Sequence, residues 1–207
     1  GEDRVQCISW DKETLSDKQL LIDFIKIANT ADELVAHNGD KFDIKKLRTR
    51  CVYHRIPMFP KYQSLDTLKK AKDNFSFISN TLNAIANYLG LGSKMPHEGF
   101  GLWIKCMRKV PGALNTMMEY CNQDVALLED IYKVLQPYVK PNTHVGATIG
   151  NEKYSCPICG GVHPEFVKIR TTEKGSINRL VECKDCHYVY EISNRTYQNY
   201  ITETTEC

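Results

Sequence analysis

The chain has 207 residues, 42% hydrophobic and 25% charged, with 27 Lys and Arg against 25 Asp and Glu for a formal charge of +2. This suits a soluble globular protein with one medium domain plus a small module. It excludes a membrane-spanning chain, because no apolar run approaches about 18–20 residues. It also excludes a globally basic surface of the kind that grips nucleic acid regardless of sequence. Residues 1–150 hold 20 basic and 17 acidic side chains and residues 151–207 hold 7 and 8, so an anionic ligand would meet local patches.

In chain order, Val5 to Trp10 alternates like a strand. Ser16, with Gln19 three residues on, reads as a capping box opening a helix through Leu20, Leu21, Phe24, Ile25 and Ala28 to about Asn29. Leu34-Val35-Ala36 is a short buried strand leading into His37. Ile44, Leu47 and Cys51 then mark a helix whose outer face carries Lys45, Lys46, Arg48 and Arg50. Tyr62 to Leu65 predicts a strand that hands over at Asp66-Thr67 to a helix, with Asp66 an N-cap rather than a ligand. Ser79 or Asn80 caps a helix carrying Leu82, Ile85, Ala86 and Leu89, and Gly90 ends it. Residues 90–101 hold four glycines and read as a mobile loop in which His97 is solvated.

The strongest helical stripe is Leu114, Met117, Met118, Cys121, Val125, Leu128, Tyr132 and Leu135, stopped by Pro137. Residues 139–151 read as a linker. Short alternating stretches, Phe166 to Ile169 and Tyr188 to Ile192, then predict a small antiparallel module at 152–194 and a frayed tail at 195–207. Strands alternating with helices over 1–138 predict an α/β domain.

Two segments carry the chemistry. His37-Asn38-Gly39-Asp40-Lys41-Phe42-Asp43 sets an aspartate at a strand-to-helix junction. Tyr120-Cys121-Asn122-Gln123-Asp124 sets a tyrosine one helical turn before an aspartate, on the same face. Hydrolysing a phosphodiester needs an activated water and charge neutralisation at phosphorus. Two divalent ions supply both, and they are held by carboxylates brought from distant parts of a chain. Alone, each aspartate is an ordinary cap or surface residue, and Tyr120 could simply extend its helix's apolar face.

Together, these segments resemble the second and third metal-site motifs of the DnaQ-like 3′→5′ exonucleases with four acidic residues and a tyrosine. With Leu65-Asp66-Thr67-Leu68 and the Leu89-Gly90-Leu91-Gly92 turn, the likeness narrows to phage- and bacteria-associated members of RNase H-like fold, over about residues 1–138. It implies a mixed sheet flanked by helices. It also implies Asp43 and Asp124 as ligands to two Mg²⁺ or Mn²⁺ ions and Tyr120 as the orienter of the attacking water. Asn38 would position substrate or the site backbone, and His37 is a secondary candidate. The implied partner is the 3′ end of a nucleic acid, single-stranded DNA first, in a cytoplasmic setting. Of the basic residues after Asp43, Lys41 stands closest and is the candidate to grip phosphate, while the rest read as a solvated helix face.

The family's first motif is a D-x-E on an early strand. Asp11-Lys12-Glu13 has the letters, but the interval to Asp43 already holds a helix and a strand, leaving no room for the family's two intervening strands. Asp11 and Glu13 therefore read as a turn. The chain begins at Gly1 rather than Met, as a fragment or processed form would. We expect the D-x-E upstream of Gly1 and the 207-residue chain nearly inactive alone. Strong Mg²⁺- or Mn²⁺-dependent digestion by this chain, abolished by Asp11→Ala, would overturn that expectation.

Four of nine cysteines form two knuckles, Cys156-Pro157-Ile158-Cys159 and Cys183-Lys184-Asp185-Cys186. Each points two sulfurs at one tetrahedral Zn²⁺, giving a zinc ribbon whose fold depends on the metal. His187, where glycine is common, and His163 are alternative ligands disfavoured by four available thiols. Cys7, Cys51, Cys106, Cys121 and Cys207 read as buried or incidental thiols. Tyr188, Tyr190, Tyr197 and Tyr200 either stack on bases or face a small core. The ribbon binds DNA, docks a replication or repair protein, or is a structural appendage. Beside the exonuclease stand two other readings, a nucleic-acid-binding or adaptor module without catalysis and a structure-specific endonuclease.

Overall fold

The structure, a computed structural model, describes residues 5–11, 13–57, 63–94 and 99–205. Tyr62, His97 and Cys207 lie outside the described residues. The chain forms two compact units, Gly1–Val134 and Leu135–Cys207. Among the described residues no helix is long and apolar enough to cross a membrane.

The first unit is built on two parallel strands, β1 (Glu33–Ala36) and β2 (Gln63–Asp66), in register from Glu33↔Gln63 to Ala36↔Asp66. Parallel neighbours need a crossover, and α2 (Asp43–His54) lies between them in sequence. Helices α1 (Lys18–Ala28), α3 (Thr67–Asn74), α4 (Leu82–Tyr88), α5 (Phe100–Met107) and α6 (Ala113–Leu135) complete the α/β unit. Its buried side chains include Leu21, Cys51, Leu65, Ile85 and Ile131.

Several local expectations are corrected. Residues 5–10 carry no strand. The β1–β2 ladder does not reach them, and Trp10 packs instead against the cluster of Leu102, Cys106, Ala113 and Met117. The capping box at Ser16 does not form, because the Gln19 amide donates to Asp23 at 3.0 Å. Asp17 occupies the cap position of α1, but its carboxylate accepts from Arg50 Nε and Nη2 and bonds His54 Nε2, clamping α1 to α2. Thr81, not Ser79 or Asn80, caps α4 by accepting the Ala84 N–H at 3.3 Å. Helix α5 fills part of the expected loop. On α6 the buried positions are Ala113, Met117, Leu127, Ile131 and Leu135, while Val125 is 51% exposed.

In the second unit β3 (Pro164–Thr171), β4 (Ile177–Cys183) and β5 (Val189–Ser193) form an antiparallel sheet in that order. On β5, Tyr190 and Ile192 alternate inward onto Cys156, Ile158, Val181 and Cys183. The Tyr190 hydroxyl donates to the Tyr154 carbonyl at 2.7 Å, so this tyrosine faces the core. A short turn of helix, α7 (Val145–Thr148), packs on the first knuckle, since the Val145 N–H donates to the Pro157 carbonyl at 3.0 Å. Gly146 sits so close to Ser155 that a Cβ there would lie 2.0 Å from its Oγ. The frayed tail is instead α8 (Asn194–Thr205), where Tyr197 and Tyr200 share a face and the Thr196 N–H donates to Ser193 Oγ.

Candidate functional site

The first candidate segment follows β1 at its carboxyl end, where parallel α/β sheets place ligands, and the second bonds to Lys94, which lines the same cleft as His37 and Asn38. After Ala36 the chain turns at Asn38, whose φ of 66° is left-handed, a region Asn tolerates better than most residues. The Asn38 N–H donates to Asp66 Oδ1 at 2.8 Å, and the same oxygen accepts the Leu68 N–H at 3.0 Å. Asp66 is 4% exposed and caps α3, so one buried carboxylate ties the β1 turn to the β2–α3 junction. Gly39 permits the turn by lacking a side chain: a Cβ there would lie 2.4 Å from Ala36 Cβ.

His37 spans the same junction. Its Nε2 lies 2.9 Å from the Asn80 carbonyl and its Nδ1 2.9 Å from Thr67 Oγ1. Burial lowers its pKa, which favours the neutral ring. A carbonyl only accepts, so a neutral ring carries its proton on Nε2, and the single Thr67 hydroxyl proton is shared between His37 Nδ1 and the Ala36 carbonyl at 3.2 Å. His37 is therefore held from both sides as a wall of the site.

Asp43 is the first residue of α2. Desolvation of its carboxyl raises its pKa, and the nearby charge of Asp66 adds to the rise. A raised carboxyl pKa means that ionisation is harder in the fold than in the unfolded chain. The penalty is absent below the ordinary carboxylate range and grows as pH rises through the raised value. Asp43 is exposed, so solvent screens much of this penalty, and Asp43→Asn should raise the melting temperature only slightly at pH 7 and leave it unchanged near pH 3. A loss of stability at pH 7 would show that the fold uses the charge.

Tyr120 and Asp124 stand one turn apart on α6 and converge on a residue with no motif of its own, Lys94. Its Nζ lies 2.6 Å from Asp124 Oδ2, 3.2 Å from Tyr120 OH and 5.4 Å from the Tyr120 ring centroid. Burial acts to lower the pKa of Lys94, but the bonds to Asp124 and Tyr120 outweigh it and the ammonium is held above its ordinary value. Burial pushes the Tyr120 hydroxyl upward. Asp124 Oδ1 is buried with no hydrogen-bond partner. One oxygen of Asp124 is thus paired with the Lys94 ammonium, and the other is buried without a partner.

A cleft of about 670 Å³ is lined by His37, Asn38, Asn80, Lys94, Lys72 and Leu68. The field of Asp66 reaches both Asp43 and His37, and that of Lys94 reaches His37. Lys41 is exposed in the turn before α2. Lys69, at 2.6 Å from Asp40, and Arg50, on Asp17, are ion-paired. Asp11 accepts the Glu13 N–H, the Thr14 N–H and the Thr14 hydroxyl at 3.1, 2.6 and 2.7 Å, which ties it to the turn at Glu13 and Thr14.

In the second unit Cys156, Cys159, Cys183 and Cys186 bring their sulfurs within 4.8 Å of one another, the only such group of three or more His, Cys, Asp or Glu among the described residues. The Cys156–Cys186 and Cys159–Cys183 sulfurs are 3.6 Å apart. Zn–S bonds of about 2.3 Å in a tetrahedron set sulfurs about 3.8 Å apart. The Ile158 and Gly161 N–H groups donate to Cys156 and Cys159 sulfurs, as a knuckle requires. His187 is exposed, with Nδ1 2.8 Å from Glu182, and takes a φ of 60°. The four thiols could hold zinc without it.

A family model described as the RNase H superfamily matches residues 1–136. No curated protein matches the chain.

Proposed function

The chain belongs to the RNase H superfamily, and from that premise we propose that it is a metal-dependent 3′→5′ exonuclease of the DnaQ-like type, acting on single-stranded DNA. The observation that carries this reading is the convergence of Tyr120 and Asp124 on one cation, with Asp124 Oδ1 buried and unpartnered beside it. Asp43 and Asp124 hold the ions in this reading. Two bound Mg²⁺ or Mn²⁺ ions supply an activated water and neutralise charge at phosphorus. The Tyr120 hydroxyl orients that water, Asn38 sets the backbone next to Asp66, His37 walls the cleft, and Lys41 meets the phosphates. The four-cysteine site takes one structural Zn²⁺. Its sheet carries any replication or repair partner, and reduced thiolates suit a cytoplasmic setting.

End-labelled single strands test this in the natural full-length protein. A 3′ label should leave at once as a mononucleotide, while a 5′ label should give a shrinking ladder. Cuts at internal positions with both labels would make it an endonuclease. Asp124→Asn should slow digestion by about 10³-fold, about 4 kcal/mol of barrier. Unchanged digestion by that variant would remove Asp124 from the chemistry.

A non-catalytic nucleic-acid-binding module is the second reading. It is favoured by one observation: among the described residues neither Asp43 nor Asp124 falls in a compact group of three or more metal-ligating side chains. Its signature is single-strand binding without digestion at any Mg²⁺ or Mn²⁺ concentration.

A further inference from the structure

Lys94 is a cation already seated where the proposed function needs metal. Its ammonium sits on Asp124 Oδ2 at 2.6 Å and on Tyr120 OH at 3.2 Å, touching both groups assigned to the chemistry. Its backbone is fixed, because the Lys94 N–H donates to Asn83 Oδ1 at 2.8 Å. Its side chain still reaches solvent, with 29% of its surface exposed against 22% for Asp124. Both partners keep some contact with water, which leaves the ammonium a route out of the pair. A divalent ion on Asp124 would stand a few ångströms from the ammonium and repel it.

Resting on that functional reading, we propose that Lys94 is the site's exchangeable cation: it neutralises Asp124 in the metal-free protein and passes to a strand phosphate when a divalent ion takes Asp124. Lys94 and Lys72 line the same cleft, so a strand phosphate entering it would meet both ammonium groups. Binding of metal and of nucleic acid are then coupled in both directions, since each favours the same position of one side chain. Lys94 is a positioning residue for Asp124 and a contact for substrate.

The test is Mn²⁺ binding followed by electron paramagnetic resonance on the zinc-loaded 207-residue chain, with Lys94→Met, Lys94→Arg and Asp124→Asn variants. Methionine keeps an unbranched stem over the Tyr120 ring, and arginine keeps the charge. Without nucleic acid, Lys94→Met should bind Mn²⁺ about three- to tenfold more tightly than the wild type, the range expected for losing one near-surface competitor. Lys94→Arg should resemble the wild type. Adding an oligothymidylate should tighten Mn²⁺ binding in the wild type and do so less in Lys94→Met.

Equal affinity in the wild type and Lys94→Met, with binding still lost in Asp124→Asn, overturns the Lys94 inference and leaves the metal site standing. Asp124→Asn indistinguishable from the wild type removes Asp124 as a ligand, and the inference falls with it. An oligothymidylate effect of equal size in the wild type and Lys94→Met overturns the transfer to phosphate.

Discussion

Stripping metal from the chain with a strong chelator should unfold the second unit and leave the first folded. The buried cluster under the second unit's sheet consists of Cys156, Ile158, Val181, Cys183, Tyr190 and Ile192, and two of these are the cysteines themselves. β3 is exposed at every position but Pro164. Four aliphatic or aromatic side chains, at about 1.5–3 kcal/mol each, do not offset about 1–2 kcal/mol of backbone entropy for each residue ordered. A structural zinc contributes on the order of 10 kcal/mol, so its loss exceeds the stability of a module this size. Burial raises the Cys156 thiol to about 11 and raises that of Cys186 further. These two thiols are protonated in the metal-free protein at neutral pH, so zinc binding should release protons and weaken as pH falls. Hydrogen exchange reads the outcome: amides of β4 and β5 should lose protection on chelation or in Cys183→Ser, while those of β1 and β2 should keep theirs. Unchanged protection in β4 would show that the sheet stands without metal.

What the sequence revealed of this molecule, and what it hid, follows from the range of the forces involved. Helix α6 was legible because its apolar residues recur along one face, and that periodicity placed Tyr120 and Asp124 together. The knuckles were legible because C-x-x-C is a local geometry. Its limits were positional: Val125 fits the stripe by spacing yet is 51% exposed, and Leu127 and Ile131 take the buried side. Helix α5 was hidden by Gly99 and Gly101 at its start, although Leu102 and Cys106 are both buried. Helix α8 was hidden by its β-branched threonines, which favour helix poorly. Its Tyr197 packs on Phe166, a strand away. The capping box failed because Gln19 reaches forward to Asp23, and Asp17, at the cap position, is drawn by Arg50 and His54 into a tertiary clamp that no local motif reports. Lys94 gave no signal at all. It follows a glycine-rich turn, and only the fold brings it to Asp124.

The substitution of Asp66 by alanine should cost about 2–4 kcal/mol, a large loss for one polar side chain. Two backbone donors end on its Oδ1, at 2.8 Å from Asn38 and 3.0 Å from Leu68. Losing the cap of α3 accounts for about 1 kcal/mol. The Asn38 N–H, stranded in a turn already held at positive φ, adds about 1–3 kcal/mol. Asp66→Asn separates these bonds from the charge. Its carbonyl oxygen accepts both N–H groups, so most of the stability should return. The like charge near Asp43 is gone, so the Asp43 pKa should fall toward its ordinary value. Denaturant titrations in which the Asn variant lies close to the wild type and well above Ala would fix Asp66 as the tie between the two loops. Equal losses in both variants would mean that the fold requires the carboxylate itself. Mn²⁺ binding on the same proteins separates scaffold from ligand, because a capping Asp66 tolerates Asn without loss of metal and a coordinating one does not.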